Sequence, residues 1–128
     1  MAIAFNHTIV YATDKRRSAE FLARVLGLPQ PRPMWSFLTV ALEHGVALDF
    51  ATATREISPQ HYAFLVSEDE FNSIFERIQA EGIPYWADPA RSRPQQVNHN
   101  DGGRGVYFCD PDGHFLEAIT RPYGSGAA

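Results

Sequence analysis

Four polar side chains stand alone in otherwise apolar, β-forming stretches, and all four are of types that bind metal ions. His7 lies in FNHTIVYA and His61 in HYAFLV; Asp49 lies in VALDFA and Glu117 in FLEAIT. A carboxylate within a buried strand must face a cation, accept hydrogen bonds or ligate a metal. Two imidazoles and a carboxylate converging on one hollow would make a metal site with open coordination positions. Taken singly, each residue has a plainer reading. A strand histidine is commonly hydrogen-bonded in a core or solvated, and a strand acid commonly sits at an edge or in a salt bridge. What joins the four is equivalent placement in two halves of the chain.

Those halves emerge from the order of elements. Phe5 to Ala12 is β-rich and reads as a strand. Asp14 can cap a helix whose Phe21, Leu22, Val25 and Leu26 share a face, and Gly27 ends it. Leu28 to Pro33, with three prolines, can only be irregular or an edge strand. Ser36–Leu42 and Val46–Ala51 are strands around the turn Glu43-His44-Gly45. After a polar linker, Thr52 to Gln60, the pattern returns: a strand from His61 to Val66, then the capping box Ser67-Glu68-Asp69-Glu70. The helix that follows aligns Phe71, Ile74, Phe75 and Ile78, and Gly82 with Pro84 stops it. A short strand at Ile83–Ala87, a polar loop at Asp88–Asp101 and a closing hairpin over Gly102–Thr120 complete the chain. In that hairpin Asp110-Pro111-Asp112-Gly113 is the turn, and His114 reads as structural. The repeat is βαβββ, with modules at about 4–52 and 60–121 of a single domain spanning 1–128.

Strand alternation sorts the side chains. Phe5, His7, Ile9 and Tyr11 share one face; Ala47, Asp49 and Ala51 share another. His61 goes with Ala63 and Leu65, and Glu117 with Phe115 and Ile119. The bulky aliphatics fall on the opposite faces. Two such halves related by a pseudo-twofold would bring equivalent strands together about the axis. The expected fold class is therefore α+β, two βαβββ modules forming an open, cupped β-barrel with helices outside.

Bulk properties exclude several classes. A net charge of −4 without a basic stripe argues against a nucleic-acid partner. Arg16-Arg17 and the Arg91/Arg93 pair read as solvated surface. No apolar run approaches the roughly 20 residues of a membrane span, and the start lacks a secretory signal pattern. The single Cys109 cannot form an intrachain disulfide, which suits a cytoplasmic protein, and it reads as a small apolar strand residue.

The βαβββ repeat, the helix end VLGLP, the closing GVYFCDPDGHFLEAIT and the His…His…Glu placement resemble the vicinal oxygen chelate superfamily. That group includes glyoxalase I, extradiol dioxygenases, fosfomycin-resistance transferases, methylmalonyl-CoA epimerase and bleomycin-resistance proteins. The resemblance spans about Phe5 to Arg121. It implies His7, His61 and Glu117 as ligands of a divalent ion (Fe, Mn, Zn or Ni). Asp49 holds the place of a fourth, glutamate ligand in the glyoxalase branch, one methylene shorter; it either ligates, orients a histidine or touches substrate. The resemblance also implies a homodimer. Bleomycin-binding members lack the metal triad, and this chain keeps it, which argues for chemistry.

On this reading a small substrate chelates through two neighbouring oxygens, and the enzyme is a dioxygenase or a glyoxalase-like lyase or isomerase. Glu117, His99 and Tyr107 are the catalytic candidates, with His99 on a polar loop able to act as acid or base. Arg104, Trp35 and Phe37 are candidates for substrate contact, and Trp86 and Tyr85 for an aromatic wall. The alternative function is sequestration of a drug or metabolite, of the bleomycin-resistance type. Metal content separates the two.

Overall fold

The computed structural model describes residues 2–126. The chain divides between Ser58 and Pro59 into two compact units, each a βαβββ module. The first comprises β1 (His7–Ala12), α1 (Lys15–Leu26), β2 (Arg32–Met34), β3 (Phe37–Ala41) and β4 (Ala47–Thr52). The second comprises β5 (His61–Leu65), α2 (Glu68–Ala80), β6 (Tyr85–Trp86), β7 (Gly105–Cys109) and β8 (Phe115–Ile119). Each makes an open four-stranded sheet, ordered β1-β4-β3-β2 and β5-β8-β7-β6. In both, the first strand runs parallel to the last and the other neighbours are antiparallel. The α+β class and the repeat expected above are what the structure has; its strands form two open sheets, not a closed barrel.

The helices begin and end where the chain chemistry dictates. Asp14 accepts the backbone N–H groups of Arg16 and Arg17, and Gly27 takes φ 72° to close α1. Ser67 and Glu70 form a reciprocal capping box at the start of α2. In the first unit, Leu22 and Val25 of α1 are buried with Val10, Leu38, Val40, Leu48 and Phe50 of the sheet. In the second, Phe71, Ile74 and Ile78 of α2 are buried with Val106, Phe108, Leu116 and Ala118. Because strand side chains alternate, this burial leaves His7, Ile9 and Tyr11, and likewise His61, Ala63 and Leu65, on exposed faces.

Two segments are more ordered than their polarity suggests. In the loop before β7, Asp88 accepts from the Ser92 hydroxyl and from the N–H groups of Ser92 and Arg93. The buried Asn98 donates to Ala87 O and exchanges backbone bonds with Gly105. At the closing turn, Asp110 accepts from the N–H groups of Asp112 and His114, and Gly113 takes φ 84°. His114, 1% exposed, accepts the Gln60 N–H, in keeping with a structural role.

Candidate metal centre

The register of the second sheet aligns the chemistry-bearing residues. In β5 and β8, His61 stands opposite Phe115 and Ala63 opposite Glu117. Tyr107 of β7 is Glu117's partner on the other side, and Trp86 of β6 is the partner of Tyr107. Directly paired residues point the same way. Trp86, Tyr107, Glu117 and Ala63 thus form one row across a single face, with Phe115 and His61 in the adjacent row. Ala63 is too small to cover Glu117, so the carboxylate can lean diagonally to His61.

It does so. Glu117 is 1% exposed, and its Oε1 lies 2.9 Å from His61 Nε2. Its Oε2 accepts the Tyr123 hydroxyl, which is 2.7 Å from the Tyr107 hydroxyl. Burial, with the Glu117 carboxylate beside it, pushes the Tyr107 phenol well above its ordinary value of 10. Tyr107 therefore stays protonated and able to donate near neutral pH. The His61 ring meets Tyr107 edge-on at 6.1 Å and its side chain is 46% exposed, so the pair opens to solvent on that side.

Two side chains of metal-binding type are hydrogen-bonded side by side here. Adjacent ligands at about 2.1 Å from an octahedral ion are about 3 Å apart, and the His61–Glu117 separation is 2.9 Å. One imidazole nitrogen and one carboxylate oxygen already stand at the spacing of two neighbouring ligands. Among the described residues no three His, Cys, Asp or Glu side chains are grouped for one ion. The structure thus brings together two of the three expected ligands, while His7, in the first unit, donates from Nδ1 to Asn6 Oδ1 at 2.7 Å.

The first unit repeats the register and not the site. His7 stands opposite Ala47, and Asp49 is flanked by Ile9 and Thr39 as Glu117 is by Ala63 and Tyr107. Asp49 accepts the Thr39 hydroxyl at 2.7 Å. Phe37, two residues before Thr39, shares that face and is half-buried.

The remaining expected residues lie apart. Trp35 is 93% exposed at the tip of the two-residue turn between β2 and β3, with φ 53°. Arg104 is engaged by Glu68 Oε1 at 2.9 Å and Asn72 Oδ1 at 2.7 Å, with its guanidinium 4.4 Å above the Phe71 ring. These contacts tie α2 to β7. His99 is exposed on the loop before β7, and the Glu68 carboxyl that holds Arg104 is kept low by hydrogen bonds from Thr120 and Arg104.

Two residues of interest carry no motif. Tyr123 is the lone aromatic in a tail of Gly, Ser and Ala, and that isolation was the one available signal. Arg91 is exposed, as expected of a surface charge, and its guanidinium also lies over the rings of Trp86 (5.7 Å) and Phe115 (5.4 Å) on the Glu117 face.

Residues 4–118 match the family model described as Glyoxalase/Bleomycin resistance protein/Dioxygenase superfamily. The chain belongs to that superfamily. Among its relatives, the glutathione transferase FosA of Serratia marcescens is 30% identical over 125 residues, covering 91% of this chain and 80% of that protein. Two solved structures are more similar. Oxidase ChaP-H1 is 54% identical with a TM-score of 0.94 over 96% of this chain and 99% of its own. Oxidase ChaP-H2 is 56% identical with a TM-score of 0.95, over 99% and 100%. These relatives support a metal-dependent superfamily enzyme acting on small molecules. Among the described residues no helix is long and apolar enough to cross a membrane.

Proposed function

We propose that the protein is a metal-dependent oxidase of a small oxygenated molecule that chelates through vicinal oxygens, with His7, His61 and Glu117 as the ligands of the ion. The observation that carries this reading is the His61–Glu117 pair, set at ligand spacing on a face open beside His61. A divalent ion held there supplies Lewis acidity and, as Fe(II), redox capacity toward dioxygen. The chain's own residues do the rest. Tyr107, kept protonated, donates to the Tyr123 hydroxyl, whose own proton goes to Glu117 Oε2, so the two phenols fix that carboxylate. Arg91 places a positive charge over the aromatic rim, which favours an anionic or phenolic substrate oxygen. Trp86 and Phe115 offer flat apolar surface for an aromatic ring. Oxidation is preferred over isomerisation because both oxidases named above share more than half of this chain's residues. Thiol transfer is the second reading, favoured by the likeness to the glutathione transferase.

A homodimer is part of the proposal. β1 and β5 are both sheet edges, and Ile9, Tyr11 and Leu65 are exposed on the faces that carry the histidines; a second copy covering them would remove that apolar surface from water.

The test is metal content after anaerobic purification, followed by oxygen uptake with catechol-type and polyphenolic substrates. Oxygen consumed only by the Fe(II)-loaded protein, and lost in His61→Ala, supports the oxidase. Activity confined to thiol addition supports transfer. Tight binding of an aromatic ligand that survives both His61→Ala and Glu117→Gln, without turnover, would mean sequestration instead.

A further inference from the structure

Tyr123 is more than half exposed, yet its hydroxyl reaches a carboxylate that is 1% exposed. A tyrosine in a glycine-rich tail has no intrinsic reason to hold that position, since ordering it costs backbone and side-chain entropy. The structure shows what holds it. Asp101, at φ 56° in the short turn before β7, accepts the N–H of Gly124 at 3.1 Å and of Gly126 at 3.2 Å through one carboxylate oxygen. Gly126 packs so closely on Asp101 that an added Cβ would lie 2.3 Å from its Cα and 2.4 Å from its carbonyl carbon and oxygen. Only glycine fits there. The tail is thus fastened on the far side of Tyr123 from β8, and the phenol is delivered between Glu117 Oε2 and the Tyr107 hydroxyl.

We infer that the tail from Pro122 to Gly126 is a latch, and that Tyr123 is a positioning residue that occupies Glu117 Oε2 and presents Oε1, beside His61, as a single-oxygen metal ligand. This rests on the metal reading of the His61–Glu117 pair. A carboxylate free to rotate can offer either oxygen or both. One oxygen tied to a phenol leaves the other aimed, and outer hydrogen bonds of this sort are worth about 10- to 100-fold in metal affinity. The latch lies outside the strands, which explains why a site built on β5 and β8 depends on residues after the last strand.

The experiment uses the full chain, stripped with chelator and titrated with Co2+ against a chromophoric competitor, with the visible spectrum of the Co2+ adduct and hydrogen exchange recorded in parallel. Tyr123→Phe is expected to weaken Co2+ binding about 10- to 100-fold and to alter the Co2+ spectrum, while the stripped variant melts only slightly below stripped wild type, because Glu117 Oε2 loses its hydrogen-bond partner. Gly126→Val touches nothing in the site. It is expected to release residues 122–126 to fast exchange and to cause a similar loss of affinity with Tyr123 intact. Wild-type affinity and spectrum in Tyr123→Phe would overturn the positioning role. A tail that stays protected in Gly126→Val, or is released without loss of affinity, would overturn the latch. His61→Ala separates the two levels. If it loses Co2+ while Tyr123→Phe does not, only the tail proposal fails; if it binds Co2+ like wild type, the metal reading fails and the latch with it.

Discussion

Replacing either member of the His61–Glu117 pair should separate the cost of a broken hydrogen bond from the loss of a metal. In His61→Ala, Glu117 Oε1 loses its partner in a residue that is 1% exposed in the intact protein. An unpaired buried polar atom costs about 1–3 kcal/mol. The imidazole was 46% exposed, so water can fill its space, and the lower part of that range, about 1–2 kcal/mol, applies. Glu117→Gln keeps the shape. Its carbonyl can take the Tyr123 hydroxyl and its NH2 can donate to Nε2 of the other His61 tautomer, so the stripped variant should lose about 1 kcal/mol or less. Ligand linkage is larger. At a hundred times Kd, a bound ion stabilises by about 2.7 kcal/mol. For a chain of 128 residues, roughly 4 °C per kcal/mol makes that a rise of about 10 °C in Tm. Scanning calorimetry of chelator-treated protein with added Mn2+ or Co2+ should show this rise in wild type and almost none in either variant. A wild-type rise in both variants at the same metal concentration would refute the reasoning, because the ion would then be held elsewhere.

Three predictions concern the frame. Ser67→Ala should cost about 1 kcal/mol by opening the capping box of α2. The Ser67 N–H, and then its hydroxyl, hold the Glu70 carboxyl below its ordinary 4.5. That stabilisation is full above pH 4.5 and is lost as the pH falls through the depressed value, so Glu70→Gln should flatten this part of an acid denaturation curve followed by circular dichroism. Gly105→Ala places a Cβ 2.9 Å from both Oδ1 and Nδ2 of the buried Asn98. Overpacking should cost about 1–3 kcal/mol in urea melts, and Asn98→Ala in the same chain should recover part of it.

Elements were legible wherever a local rule governs them. The Asp14 and Ser67 caps, the Gly27 stop and the Asp110–Gly113 turn each depend on side chains within a few residues. The polar faces of β5 and β8 were legible too, because alternation is a property of the strand itself. The diagonal approach of Glu117 to His61 depends on register between segments 56 residues apart, which alternation does not specify. Arg104 illustrates a further limit. An arginine near a predicted site invites a substrate role, but the Glu68 and Asn72 that hold it lie 36 and 32 residues away on a helix face. The position of Tyr123 was illegible for a related reason. Its place is set by Asp101 and by the missing Cβ of Gly126, and no periodic pattern links a tail to a loop.

The repeat also explains why the two halves are not equally equipped. Asp49 and Glu117 occupy the same register position, each beside its module's histidine-bearing strand. The second half sets Ala63 beside a glutamate; the first sets Ile9 beside an aspartate. The shorter acid lacks one methylene of reach, and the Thr39 hydroxyl takes Oδ1 at 2.7 Å. His7 keeps to Asn6 instead. If the metal is held as proposed, Asp49 is not one of its ligands, and Asp49→Asn should leave Co2+ affinity within about twofold of wild type, against the 10- to 100-fold that even an outer hydrogen bond commands. Asp49→Glu combined with Ile9→Ala restores to the first half both features that let Glu117 lean toward His61. That double variant should bring the new carboxylate to His7 and displace its bond to Asn6, which the His7 ring nitrogens would report by NMR. A loss of metal in Asp49→Asn as large as in Glu117→Gln would show that the shorter acid reaches the ion after all.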